Sequence, residues 1–417
     1  MKDCVVGTPG EIPPEAAQKR FAEARRNGYA TWLWPDVSVA NWRAALESTA
    51  SVARTILAGE PAVELAGSDA KAMGIAAYTS GMGPLLGYWI DNGTVHASAD
   101  IAELLRTHLL HNRRRMAHLS NVARNTAQIL LDADVSPIIL KGMHTAFCYF
   151  PEPGTRPLSD IDLFIPPEQI AKAEQIFAAS GYRRVPRTRS PYACDWVDPS
   201  VPTHPRTLAF VHERDPWSVD LLGSLDKHLP TGAWLKFDKL LSHIGPAGFI
   251  AGASTMREPL LSLYLAAHVS QTLLNATILR AFELVLVFRR DGADGSLDWD
   301  EFIRGAAMIG GLRFVYPALV FVEQLSPGTV PASVVDVATA DTPENLRNAM
   351  ARLTLATAQP LDRHSVTERF MWAGDLSEIL LQAAGELSID GRGKPLVAAL
   401  YSIGTKLWAL RRRRYTR

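Results

Sequence analysis

The chain has 417 residues, 47% hydrophobic and 21% charged, enough for two or three domains with a substantial core. Lys plus Arg number 43, as do Asp plus Glu, so the formal net charge is zero. That balance argues against a general nucleic-acid binder and leaves room only for a local basic patch.

The first 30 residues are polar and punctuated by Pro and Gly, and lack the apolar run of a signal peptide. Trp32 and Trp34, beside Pro35, read as packing residues. Helical patterns follow over 36–66 and 69–91. The longest runs over 100–132, with an apolar stripe from Ile101, Leu105 and Leu109 to Met116, Leu119, Ala123, Ala127 and Leu130. Asp100 is its candidate N-cap. Arg113, Arg114 and Arg115 cannot share one helix face, so at least one is solvated.

The texture then changes. Residues 135–140, VSPIIL, read as a strand that Lys141-Gly142 ends, and MHTAFCYF as a helix. PEPGTRP, 151–157, is a loop, and 160–165, DIDLFI, a strand. A helix is expected over 166–180 with Gly181 at its C-terminal end, then a strand over 182–185. Residues 186–206 read as irregular, and 208–213 with 217–222 as a hairpin. From about residue 240 the pattern is helical to the end.

Residues 259–288 are the most apolar long stretch, but His268, Gln271, Asn275, Arg280 and Glu283 interrupt it. A buried helix pair suits them better than a membrane span. Ser296 and Asp298 are candidate caps for the next helix. The basic tail, Arg411 to Arg414 with Arg417, reads as solvated. Cys4, Cys148 and Cys194 match neither a disulfide framework nor a zinc ligand set, and fit a reducing compartment. The expectation is an α+β protein of the cytoplasm: a helical region over 1–99, a core over 100–240 whose sheet lies within about 135–225, and a helical region over 241–417.

Asp160 and Asp162 carry the chemistry. Two apart in a strand, both point to one face, while Ile161, Leu163 and Ile165 point to the other. Like charges so placed repel unless a cation sits between them. All-oxygen ligands at short spacing suit Mg²⁺ or Mn²⁺, which bind through carboxylates and substrate phosphates. Taken alone, the pair also suits an ordinary edge strand or turn. Asp220, in WSVDLL on an expected neighbouring strand, is the third candidate ligand and the candidate general base. Gly142 allows backbone to approach a phosphate at the start of a helix, and Lys141 adds a point charge. Arg156 either touches phosphate or caps its loop. His268 reads as an ordinary helix histidine, and Cys148 as packing.

Leu140-Lys141-Gly142, Tyr149, Pro151, Gly154, Arg156-Pro157 and Ser159-Asp160-Ile161-Asp162-Leu163 together resemble an uncharacterised bacterial nucleotidyltransferase family. That family belongs to the DNA polymerase β-like superfamily, and the likeness extends over about 70–325. The resemblance implies a minimal nucleotidyltransferase core, a small mixed sheet with helices. It implies transfer of a nucleoside monophosphate from an NTP to a hydroxyl, with release of pyrophosphate. Asp160 and Asp162 match its metal-binding pair, Gly142 its phosphate-binding turn, and Asp220 its third carboxylate.

Three features depart from the pattern. Met143 stands where the superfamily usually places Ser or Gly, which leaves Lys141 or Thr145 to compensate on the triphosphate. Asp220-Leu221-Leu222-Gly223 replaces Asp-Leu-His-Trp on the acceptor side. Of a downstream pair of histidines only His268 remains. The expected partners are an NTP with Mg²⁺ or Mn²⁺, and a small-molecule, peptide or protein acceptor. Two other readings stay open: a catalytically weak or inactive nucleotide-binding accessory protein, and a phosphotransferase using the same metal site.

Overall fold

A computed structural model of the chain describes Lys19 and residues 37–67, 69–186, 193–201, 215–229, 233–271, 273, 276–357, 371–374 and 378–380. Its first helices are Val39–Leu57 (α1), Ala70–Ser80 (α2), Gly83–Asp91 (α3) and Ala99–Asp132 (α4). Two-residue strands, Val63–Glu64 (β1) and Val95–His96 (β2), pair in parallel among them. The apolar stripe expected along α4 is buried over its whole length. Its N-cap is Ser98, not Asp100. The Ser98 hydroxyl donates to the Asp100 carboxylate at 2.5 Å, and Asp100 lies in the first turn, where the helix dipole favours a negative charge.

The next elements are Ile138–Ile139 (β3), Lys141–Cys148 (α5), Asp160–Phe164 (β4), Ile170–Ala179 (α6), Arg183–Pro186 (β5), Ala193–Val197 (β6) and Ser218–Leu222 (β7). Gly181, at φ 87°, closes α6 in the left-handed conformation that glycine adopts without penalty. Strand β6 falls inside the stretch read as irregular. Its inward residues are Cys194 and Trp196; only Trp196 and Val197 favour a strand, and Asp195 and Asp198 beside them break up the pattern in so short a run. The 208–213 arm of the expected hairpin lies outside the described residues. Strand β7 pairs antiparallel with β6 and in parallel with β4.

Lys227–His228 (β8) and Trp234–Leu235 (β9) form a small separate ladder. Ile244–Pro246 (β10) and Ser254–Met256 (β11) are strands in the region expected to be helical throughout. Three residues are too few to display a period-two pattern. The seven-stranded order is β10-β11-β3-β4-β7-β6-β5.

The apolar pair is Leu260–Gln271 (α7) and Ile278–Asp294 (α8), as its interrupting polar residues require. Among the described residues, no helix is long and apolar enough to cross a membrane. Asp298 caps Trp299–Ile309 (α9) by accepting from the backbone N–H groups of Asp300 and Glu301. Tyr316–Leu325 (α10), Ala332–Asp341 (α11) and Glu344–Met350 (α12) follow. Cys4, Trp32, Trp34 and the basic tail lie outside the described residues. Helix outweighs strand, 59% to 11%, and the sheet is mixed, so the fold is α+β.

Two cores flank the sheet. Ile161, Leu163, Val219 and Leu221 pack on one side with Met116, Leu119 and Ala123 of α4 and Phe177 of α6. Phe164, of the same parity as Asp160 and Asp162, joins the larger core built from the N-terminal helices and α7–α10. The acidic sheet face therefore turns toward α7 and α8.

Candidate active site

Alternation along DIDLF sets Asp160 and Asp162 on one face of β4, and the pairing with β7 brings Asp220 to the same face. Asp162 on β4 stands directly beside Asp220 on β7, and Asp160 beside Ser218. Carboxylate oxygens of Asp160, Asp162 and Asp220 all lie within 4.8 Å of one another. Asp220 is 1% exposed and Asp162 9%, while Asp160 stands at the more open end. The Ser218 hydroxyl donates to Asp220 at 2.9 Å. Asp195 on β6 is registered with Asp220, so a fourth carboxylate shares this face. It was missed because its strand was missed.

Three carboxylates that close repel strongly in a partly dry site, and all their donors are oxygens. The donor set fits a hard divalent cation such as Mg²⁺ or Mn²⁺. The protein's own cation here is Lys141, whose ammonium donates to Asp162 Oδ2 at 2.7 Å. Burial alone pulls its pKa down. Asp162 and Asp160 outweigh that effect and hold it above the ordinary lysine value.

Gly142 follows in the first turn of α5. A methyl group there would come within 2.5 Å of the Leu158 side chain and 3.0 Å of the Arg156 guanidinium. The glycine lets the loop before β4 close over α5. Met143 is 2% exposed and belongs to the core between the sheet and α4. The residue that departs from the expected turn is thus a packing residue.

A family model described as uncharacterised nucleotidyltransferase matches residues 68–327, more than half of the chain. The chain belongs to this nucleotidyltransferase family. It is accordingly a transferase of phosphorus-containing groups. No curated protein and no solved structure matches the chain.

The other two expected nucleotide contacts are gathered by a residue far along the chain. Arg156 meets Glu283 of α8 through two hydrogen bonds, 2.8 and 3.0 Å, and the Thr145 hydroxyl donates to the same carboxylate. Glu283 is 2% exposed, so this is a buried, two-pronged ion pair. It fastens α5 and the loop before β4 to α8.

The arginine triplet divides as helix geometry demands. Arg113 bonds Glu152 and Arg114 is exposed. Arg115, 2% exposed, donates to the carbonyls of Leu158, Asp215 and Pro216 at 2.7–2.8 Å. Those carbonyls immediately precede β4 and β7, so one guanidinium sets the approach of both acid-bearing strands.

The sequence does not mark Lys227 at all, and it marks Arg280 only as an interruption of an apolar stretch. Lys227 is 8% exposed, with its ammonium 3.7 Å from the centre of the Tyr264 ring. Burial lowers the Arg280 pKa, against the opposing pull of Glu283 and Asp160. His268 is held well below its ordinary range by burial, then by Lys141, Lys227, Arg280 and Arg156. It is a neutral imidazole among cations, consistent with a histidine that takes no proton. Neither Lys227 nor Arg280 sits in a pattern that ties it to the site, because what places them is the fold of α7 and α8 over the sheet.

Proposed function

We propose that the chain moves a nucleoside monophosphate from an NTP to a hydroxyl of an acceptor and releases pyrophosphate. The observation that carries this reading is the parallel β4–β7 register, which sets Asp220 beside the Asp160–Asp162 pair. Asp160, Asp162 and Asp220 hold divalent metal, which when bound supplies neutralisation of the phosphate charge. Lys141 and the N-terminal turn of α5 at Gly142 face the phosphates, and Arg156 and Thr145 keep that wall in place through Glu283. Asp220 receives the proton of the attacking hydroxyl. The oxygen–phosphorus bond forms at the α-phosphate as the bond to the bridging oxygen breaks, and the electron pair leaves with pyrophosphate.

The test uses α-labelled NTPs, Mg²⁺ and panels of small hydroxyl compounds, peptides and proteins. Label should pass to an acceptor whose mass rises by one nucleoside monophosphate, with one pyrophosphate released per transfer. Asp162→Asn should lower that rate by about 100-fold or more, since a lost charge ligand removes several kcal/mol of transition-state stabilisation. Release that continues undiminished in Asp160→Asn and Asp162→Asn would falsify the assignment. A mass gain of a single phosphate would instead identify γ-phosphoryl transfer by the same carboxylates.

A further inference from the structure

Lys227 sits on β8, just beyond the strand that carries Asp220, and the proposed transfer reaction does not involve it. Among the described residues it has an aromatic face beneath it, and no carboxylate or carbonyl accepts a hydrogen bond from its ammonium. The surrounding charges are mostly of its own sign. Burial comes first in pushing its pKa well below the lysine range, and Lys141 and Arg280 push in the same direction. Asp162 is the carboxylate that opposes them. His268, one helical turn past Tyr264 on α7, feels the same cations together with Arg156. Cations from β8, α5 and α8 thus converge above α7, beside the acidic face of the sheet.

A buried ammonium among like charges is expensive to keep unless an anion completes its surroundings. Lys141 already has Asp162, and Arg280 is opposed by Glu283 and Asp160. Among the described residues Lys227 has no such acceptor. The phosphate-side turn offers no serine hydroxyl either, because position 143 is a methionine packed into the core. We propose that Lys227 is a polyphosphate-binding residue that receives the terminal phosphates of the nucleoside triphosphate and then the departing pyrophosphate. The inference rests on the chain being an NTP-using transferase. It adds a residue and the end of the substrate that the residue holds.

The probe is inorganic tripolyphosphate with Mg²⁺, titrated calorimetrically into the full chain. Lys227→Met keeps an unbranched side chain of nearly the same length and removes the charge. Tripolyphosphate affinity should fall at least about tenfold, the scale of one charge-assisted hydrogen bond. Thermal stability should stay the same or rise, because the variant no longer buries an ammonium. A structural lysine would show the reverse: lower stability with unchanged affinity, which overturns the proposal.

Should the variant fail to fold, acylation of Lys227 in the wild-type chain, read by mass spectrometry, replaces it. Tripolyphosphate must protect Lys227 where sulfate at matched ionic strength does not, and absence of protection overturns the proposal. The two readings separate cleanly. Lys227-dependent tripolyphosphate binding in a chain that transfers no nucleotide would sink the reaction and leave this site standing. Nucleotide transfer by Lys227→Met with an unchanged KM for NTP would sink this site alone.

Discussion

At the scale of single residues, the Lys141–Asp162 pair is the most informative contact in the site. The ammonium is 15% and the carboxylate 9% exposed, so breaking the pair leaves charge stranded away from water. Lys141→Met should destabilise the chain by about 3 kcal/mol for that reason. The same variant leaves three clustered carboxylates with less positive charge to offset them. Added Mg²⁺ should therefore raise its melting temperature more than that of the wild type, because the ion replaces the missing charge. Thermal unfolding with and without MgCl₂ reads both effects. No gain with MgCl₂ in either protein would mean that the carboxylates hold no divalent ion, and equal gains would mean that Lys141 does not compete with it. The sequence made Asp160 and Asp162 conspicuous because an acid alternating with Ile and Leu has no packing explanation. Glu283 stood out only as an interruption of an apolar stretch, and its role at the site was hidden. Its partners Arg156 and Thr145 are more than 120 residues away, so no local pattern ties them to it.

At the scale of elements, the site depends on two strands arriving side by side, and α4 arranges that. The three carbonyls that Arg115 satisfies belong to the loops entering β4 and β7. Arg115→Met leaves all three without a donor and should cost about 3 kcal/mol or more. Because its target is position, its kinetic signature should be a loss in kcat with little change in the KM for NTP. Mn²⁺ affinity should drop with it, by about tenfold, as the carboxylates lose their spacing. A variant that loses stability yet keeps its Mn²⁺ affinity would confine Arg115 to a folding role. The long helix was legible because its stripe repeats over 34 residues. Strands β10 and β11 were not, since three residues carry no period. The β4–β7 adjacency follows from neither strand's own sequence, and is a product of the whole sheet order.

At the scale of the whole molecule, the sheet and the C-terminal helices form opposite walls of the site, and a carboxyl pair joins them. Glu258 links β11 to α7 and lies beside Asp291 of α8. Tyr149, at the end of α5, donates to Asp291 at 2.8 Å. The Ser262 N–H reaches Glu258 at 3.3 Å, the His243 ring contacts the Glu258 carbonyl, and Arg290 lies over the Tyr149 ring. Burial, reinforced by Asp291, pushes the Glu258 carboxyl from 4.5 up to about 8, and burial also raises Asp291. A carboxyl that stays protonated when folded, but ionises when unfolded, gives the folded chain the greater proton uptake between those values. Its contribution to stability is complete below about pH 4.5, declines as pH rises, and is gone above about pH 8. The wild-type urea midpoint should accordingly fall between pH 5 and pH 8.5. Glu258→Gln is neutral throughout that window, so its midpoint should fall distinctly less. If both proteins lose the same amount, the pair ionises normally and the pH response of the sheet–helix junction must come from other groups.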